Sequence, residues 1–159
     1  MQIDILCVGK IKERFFRDAL EEYKKRLSRY CRVTEIEVVD EKTPDEAGET
    51  EVRQIKEKEG TRLLSKIRES AYVIALAIDG KSLSSEELAE KLGSLAINGQ
   101  SHLQFVIGGS LGLSPEVLSR ADMKLSFSKM TFPHQLMRVI LAEQIYRSYR
   151  ILRNEPYHK

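Results

Sequence analysis

Two stretches of the chain hold most of the residues whose types and spacing allow chemistry. The first is Gly108-Gly109-Ser110-Leu111-Gly112, which directly follows a short apolar run. Glycines there let backbone approach a ligand closely or take positive φ without steric cost, although such a turn also serves simply to join a strand to a helix. It is not a phosphate-cradling P-loop, which needs GxxxxGK[ST]; Gly80-Lys81-Ser82 has Ala75 where the earlier glycine would stand. It is not a dinucleotide fingerprint either, because Ser110 occupies the second glycine's place and the first apolar run ends on the single Gly9. No GxSxG elbow and no HExxH pair is present, so serine-hydrolase and zinc-protease chemistry are disfavoured and no metal is expected.

The second stretch is the C-terminal fifth. His134 stands four residues before Arg138 and so shares a helix face with it. Arg147, Arg150 and Arg153 follow at three-residue spacing and lead into Tyr157 and His158. Guanidinium groups beside aromatic rings suit phosphates and unstacked bases, and they equally suit a solvated helix edge. The third histidine, His102, opens an apolar run and reads as a surface or cap residue.

The elements that must position these residues follow from hydrophobic period. Residues 3–8 read as a strand and 13–31 as an amphipathic helix on Phe16, Leu20, Tyr23, Leu27 and Tyr30. Residues 33–39 alternate as a half-exposed strand, and 50–70 read as a helix whose interior Gly60 weakens the assignment by about 1 kcal/mol. Residues 72–78 form the most continuous apolar run, expected of a strand covered on both faces and closed by Asp79-Gly80. A helix over 84–97, opened by Ser84-Ser85-Glu86-Glu87, precedes a strand over 103–107. A short helix over 114–121, a short strand over 124–127 and a long helix over 133–152 complete the chain. Alternating strands and helices predict one α/β domain over 1–159, with a mostly parallel sheet flanked by helices. In such sheets ligands gather beyond the carboxyl ends of the strands, here the loops 79–81, 108–113 and 128–133. The last helix has a wider apolar face than one sheet requires, which predicts burial on two sides, the second against a partner subunit.

Bulk composition is that of an ordinary globular chain: 159 residues, 42% hydrophobic and 31% charged, with a net charge of +2 too small to announce a nucleic-acid binder. The distribution is less even, because residues 129–159 hold six Lys and Arg against two Glu. No apolar run approaches the ~20 residues of a membrane span. The apolar stretch at 3–8 is broken by Asp4 and has no basic leader, so it does not read as a signal peptide. Cys7 and Cys31 have neither CxxC nor zinc-ligand spacing and read as reduced thiols. These features together predict a cytoplasmic protein.

Ile5-Leu6-Cys7-Val8-Gly9-Lys10, Phe105 to Leu113, Leu125-Ser126-Phe127-Ser128-Lys129-Met130-Thr131-Phe132-Pro133-His134-Gln135 and the terminal Pro156-Tyr157-His158-Lys159 resemble the corresponding segments of the RlmH family. Those proteins are SPOUT-superfamily methyltransferases of the bacterial large ribosomal subunit. The likeness spans the whole chain, and Cys7, where alanine is common, is the one departure in these motifs. It implies a SPOUT fold with a C-terminal trefoil knot, a rare exception to unknotted connectivity that periodicity alone would not suggest. It implies methyl transfer from S-adenosylmethionine to N3 of a pseudouridine in helix 69 of 23S rRNA, on the assembled 70S ribosome, by a homodimer. The donor cleft then falls to Leu76, Gly108, Gly109, Phe127, Ser128, Lys129, Met130, Thr131 and Phe132. The imide N3 must lose a proton, and His158 and His134 are the nearby side chains of suitable ordinary pKa. His158 is favoured as base or substrate-orienting group, with His134, Arg138, Arg147, Tyr157 and Lys159 as RNA contacts, although Arg138 also suits a dimer contact. Another SPOUT enzyme acting on tRNA and a non-enzymatic ribosome-binding factor are the alternatives.

Overall fold

Strand and helix alternate through the chain because its apolar residues recur every second position or run continuously in some segments and recur at three and four in others. A computed structural model describes all residues 1–159, with β1 Gln2–Val8, α1 Arg14–Leu27, β2 Arg32–Val38, α2 Glu49–Leu64, β3 Tyr72–Ser82, α3 Ser85–Ile97, β4 His102–Ile107, α4 Pro115–Arg120, β5 Met123–Ser126 and α5 His134–Leu152. The five strands form one sheet in the order β2-β1-β4-β3-β5, and every pairing is parallel. Helices α1, α3 and α5 cover one face and α2 and α4 the other. Successive β1 residues feed the two layers in turn: Ile3, Ile5 and Cys7 enter the core under α1, α3 and α5, while Leu6 and Val8 enter the smaller one under α2 and α4. The capping box foreseen at Ser84 is present, with Ser84 Oγ accepting the Glu87 N–H and Glu87 accepting the Ser84 N–H.

Several elements differ from expectation for physical reasons. The first helix stops at Leu27, four residues early, where the chain turns through residues 28–30 and the Tyr30 and Cys31 amides bond back to Leu27. The second stops at Leu64 rather than residue 70. Its glycine is a packing device: a Cβ on Gly60 would stand 2.3 Å from Ser114 Oγ, the group that caps α4. The third strand does not end at Asp79-Gly80. It breaks register between Leu76 and Lys81, then pairs again with β5 through Lys81–Leu125 and Ser82–Ser126. Gly80 lies in that bulge so close to β5 that a Cβ would meet the Lys124 and Leu125 backbone at 2.8–2.9 Å. The broad apolar face of α5 is covered by α1 and α3 of the same chain, with Leu141, Ala142, Ile145 and Tyr146 buried, so its width does not by itself require a partner. His102 is not a bare surface residue: its Nε2 lies 2.6 Å from Asp4 Oδ2, which also accepts from Gln104 Nε2 at 2.9 Å.

Candidate functional site

The carboxyl ends of β3, β4 and β5 open into an apolar cleft of about 250 Å³. Its walls are Leu76, Ala77 and Ile78 from β3, residues 107–112 from the end of β4, and the segment from Leu125 to Phe132 apart from Ser126 and Lys129. His134 and Met137, on the first turn of α5, close its floor. A larger groove of about 1210 Å³ lies at the opposite ends of the strands, but it is open and lined almost wholly by polar side chains such as Gln2, Asp4, Arg32, Lys66 and Arg68. The smaller cleft has the character of a small-molecule site, apolar walls with a few placed polar groups.

Local sequence builds each wall. Five of the six β4 residues are buried, which pins the start of the glycine loop to the sheet. The loop folds onto itself: the Gly112 amide bonds the Gly109 carbonyl at 3.1 Å, and Gly112 has φ +86°. A Cβ on Gly108 would sit 2.8 Å from the Gly112 carbonyl carbon, so the side chain missing there makes the fold of the loop possible. Two serines set the opposite wall. Ser126 Oγ donates to the Ser128 carbonyl at 3.1 Å, and Ser128 Oγ accepts the Met130 amide at 2.9 Å.

The residues assigned to a methyl donor on resemblance therefore converge, with one exception. Leu76, Gly108, Gly109, Phe127, Ser128, Met130, Thr131 and Phe132 line the cleft, whereas Lys129 is exposed and outside its lining. Apolar walls and a loop whose glycines let backbone come close fit a nucleoside sulfonium such as the methyl donor, and a side chain at Gly108 would displace that loop. Ala77, Ile78, Leu125 and Met137 also line the cleft without having been singled out. Ala77 and Ile78 became visible only with the bulge that turns the end of β3 toward it. Gln135 was unassigned; its Oε1 accepts the Lys12 amide at 3.0 Å and ties the loop after β1 to the cleft.

Arg138 is corrected by the structure. Its side chain is fully buried, with Nη1 donating to Glu35 at 3.0 Å and Glu37 at 2.7 Å and Nη2 to the Gly9 carbonyl at 2.7 Å. Burial would raise the Glu35 pKa, but hydrogen bonds from Arg17 and Arg138 outweigh it and hold the carboxyl below the usual value. A guanidinium so occupied has no donor facing an RNA phosphate. His134 is the only titratable side chain in the cleft lining, and neither ring nitrogen has a hydrogen-bond partner. Burial, then the charge of Arg138, lowers its pKa; Lys12 acts in the same sense and Asp40 opposes.

The remaining residues assigned to catalysis and RNA form a separate cluster against α3 and α5. Arg147 pairs with Glu143, its Nη1 lies 3.1 Å from His158 Nδ1, and its guanidinium stacks over Tyr157 at 4.7 Å. His158 Nε2 lies 2.7 Å from Glu86 Oε1, and Tyr157 donates to Glu143 at 3.0 Å. None of these side chains lines the cleft of its own chain. Lys159 is exposed beside them, while Arg150 is held by Tyr30, Glu155 and the Pro156 carbonyl.

Residues 1–158 match a family model described as "Predicted SPOUT methyltransferase". Among curated relatives, the ribosomal RNA large subunit methyltransferase H of Bifidobacterium animalis subsp. lactis is 64% identical over 159 residues, and that of Clostridioides difficile 60%, each covering the whole of both chains. A probable methylase family protein from Haemophilus influenzae superposes with a TM-score of 0.54 at 12% identity, covering 99% of this chain and 70% of that one, a likeness of fold.

Proposed function

The chain belongs to the SPOUT methyltransferase family, and from that premise we propose that it methylates N3 of a pseudouridine in helix 69 of 23S rRNA, acting as a cytoplasmic homodimer on the assembled 70S ribosome. The observation that carries this reading is the apolar cleft at the carboxyl ends of β3, β4 and β5, whose lining contains eight of the nine residues assigned to the methyl donor. The names of relatives at 60% identity and above support ribosomal RNA as substrate.

S-adenosylmethionine, when bound, supplies a methyl group on a positively charged sulfur. The chain's own contribution is positioning, which counts for much in an in-line displacement. Leu76, Phe127 and Phe132 form apolar walls that would exclude water, and the glycine loop would hold the donor against them. Helix α5 and the tail after it supply the RNA-facing groups Arg147, Tyr157, His158 and Lys159. Because His158 does not line its own cleft, a homodimer gives it access to a cleft only on the partner protomer, where it would orient the nucleotide. Leu136, Val139 and Ile140 on α5 stay half-exposed, and they support a two-fold interface along that helix. The crossing of residues 77–82 against β5 at Gly80 supports the knotted connectivity of the family.

Labelled donor incubated with 70S ribosomes, 50S subunits, naked rRNA and tRNA tests the reading. Label confined to 70S supports it; label in tRNA favours a tRNA methyltransferase, and ribosome binding without donor binding favours a non-enzymatic factor.

A further inference from the structure

We propose that His134 is the catalytic base that takes the N3 proton of the acceptor nucleotide, an inference that rests on the N3-methylation reading. An imide nitrogen attacks a carbon only after its N–H bond has released a proton. That bond's electron pair stays on N3 and forms the new N–C bond, while the pair of the broken methyl–sulfur bond leaves with sulfur. The proton needs an acceptor inside the cleft, and His134 is the one titratable side chain that the protomer itself contributes to its lining.

The three histidines differ in what their ring nitrogens already do. His102 is engaged by Asp4 at the other end of the sheet. His158 has Nε2 on Glu86 and Nδ1 against the Arg147 guanidinium, so its lone pair is already directed at a cation. His134 makes no hydrogen bond within the chain, and its Nε2 lies 4.0 Å from where a Gly9 Cβ would stand, beside Asp40. A free, half-buried imidazole in a reaction cleft is available to accept a proton.

Its surroundings keep it in the accepting form. Arg138 lies one turn further along α5 with its charge shared by Glu35 and Glu37, Lys12 approaches from the loop after β1, and Asp40 faces the ring from the end of β2. Burial and the two cations disfavour imidazolium, while the negative charge of Asp40 opposes them and favours the imidazolium formed on accepting the proton, which then passes to water.

The test combines two readouts. Single-turnover methyl transfer to 70S ribosomes is followed against pH for the wild type and His134→Gln, with donor affinity measured by calorimetry. The expected result is a loss of roughly 10²- to 10⁴-fold at neutral pH, a deficit that shrinks as pH approaches the acceptor's own pKa, and donor affinity within about threefold. A rate within about threefold of wild type at neutral pH, or a deficit constant across pH, overturns the proposal. Because the variant's folding could be affected, the His134 ring is also titrated by NMR in the wild type. A ring that is neutral at the pH of the assay is expected, and one that stays protonated there overturns the assignment. Wild-type protein that methylates tRNA and not ribosomes overturns the N3 reading and this inference with it, an outcome distinct from a silent His134 substitution.

Discussion

Arg138→Leu removes a fully buried guanidinium while keeping an aliphatic side chain of useful volume, and the structure sets the size of the effect. Four bonds disappear, to Glu35, Glu37 and the Val8 and Gly9 carbonyls. The Val8 and Gly9 carbonyls lose a charged donor, but the larger cost falls on Glu35, whose side chain is 8% exposed and retains only Arg17. Breaking one side of a buried ion pair costs about 3–5 kcal/mol. For a chain of this size each kcal/mol corresponds to about 2–4 °C in Tm, so a loss on the order of 10 °C is expected at one fixed protein concentration. Removing the acids as well, in Arg138→Leu with Glu35→Gln and Glu37→Gln, should restore more than half of it, because no uncompensated charge remains. The pH dependence has a definite sign: the Glu35 pKa is lowered in the fold, so its stabilisation is present above the ordinary carboxylate value near 4.5 and is lost as pH falls through the folded value. Thermal melts and urea titrations read both effects. A destabilisation below 1 kcal/mol, or unchanged stability with weakened ribosome binding, would refute the assignment of Arg138 to the fold rather than to RNA.

Gly108→Val should abolish the calorimetric signal of S-adenosylmethionine binding, because its Cβ meets the Gly112 backbone at 2.8–2.9 Å and the loop must move; preserved affinity would show that the loop does not hold the donor. Glu59 is buried beneath the same loop, one carboxylate oxygen lacks a partner, and burial raises its pKa. Its ionisation therefore opposes folding as pH rises above the ordinary Glu value, so Glu59→Gln should gain stability relative to wild type at neutral pH and not below about pH 4; equal melting curves at both would contradict this. His158→Ala should slow methyl transfer on 70S ribosomes by tenfold or more with donor affinity unchanged, and unaltered turnover would remove the tail from the reaction.

Sequence patterns made the core of the fold legible where one segment's own residues determine its state. β4 is a continuous apolar run ended by glycines, and α3 carries a complete capping box, so both stand where expected. The reach of β3 was not legible, since resumption of pairing at Lys81 depends on the passage of β5 behind Gly80, more than forty residues on. Gly60 looked like a flaw in a helix because the reason for it is Ser114 on another element. At the site, the loops 108–113 and 128–133 were singled out because ligand sites collect at strand ends, whereas the donor residues Leu76 and 127–132 were read from the resemblance. Arg138 was misread because Glu35 and Glu37 lie a hundred residues earlier on a strand whose alternation looked solvated. His158 drew attention through its place at the end of the chain, yet the residue that faces the cleft is His134, a distinction made by hydrogen-bond partners that spacing does not reveal.

The central claim is methylation of one pseudouridine on an assembled ribosome. Its most direct test is to incubate the protein and S-adenosylmethionine with 70S ribosomes lacking the modification, then map the modified nucleotide of 23S rRNA by mass spectrometry. One methyl group at N3 of a pseudouridine in helix 69, with little on isolated 50S subunits or naked rRNA, is the predicted result. Methylation at another nucleotide, or equal methylation of naked rRNA, would contradict the account.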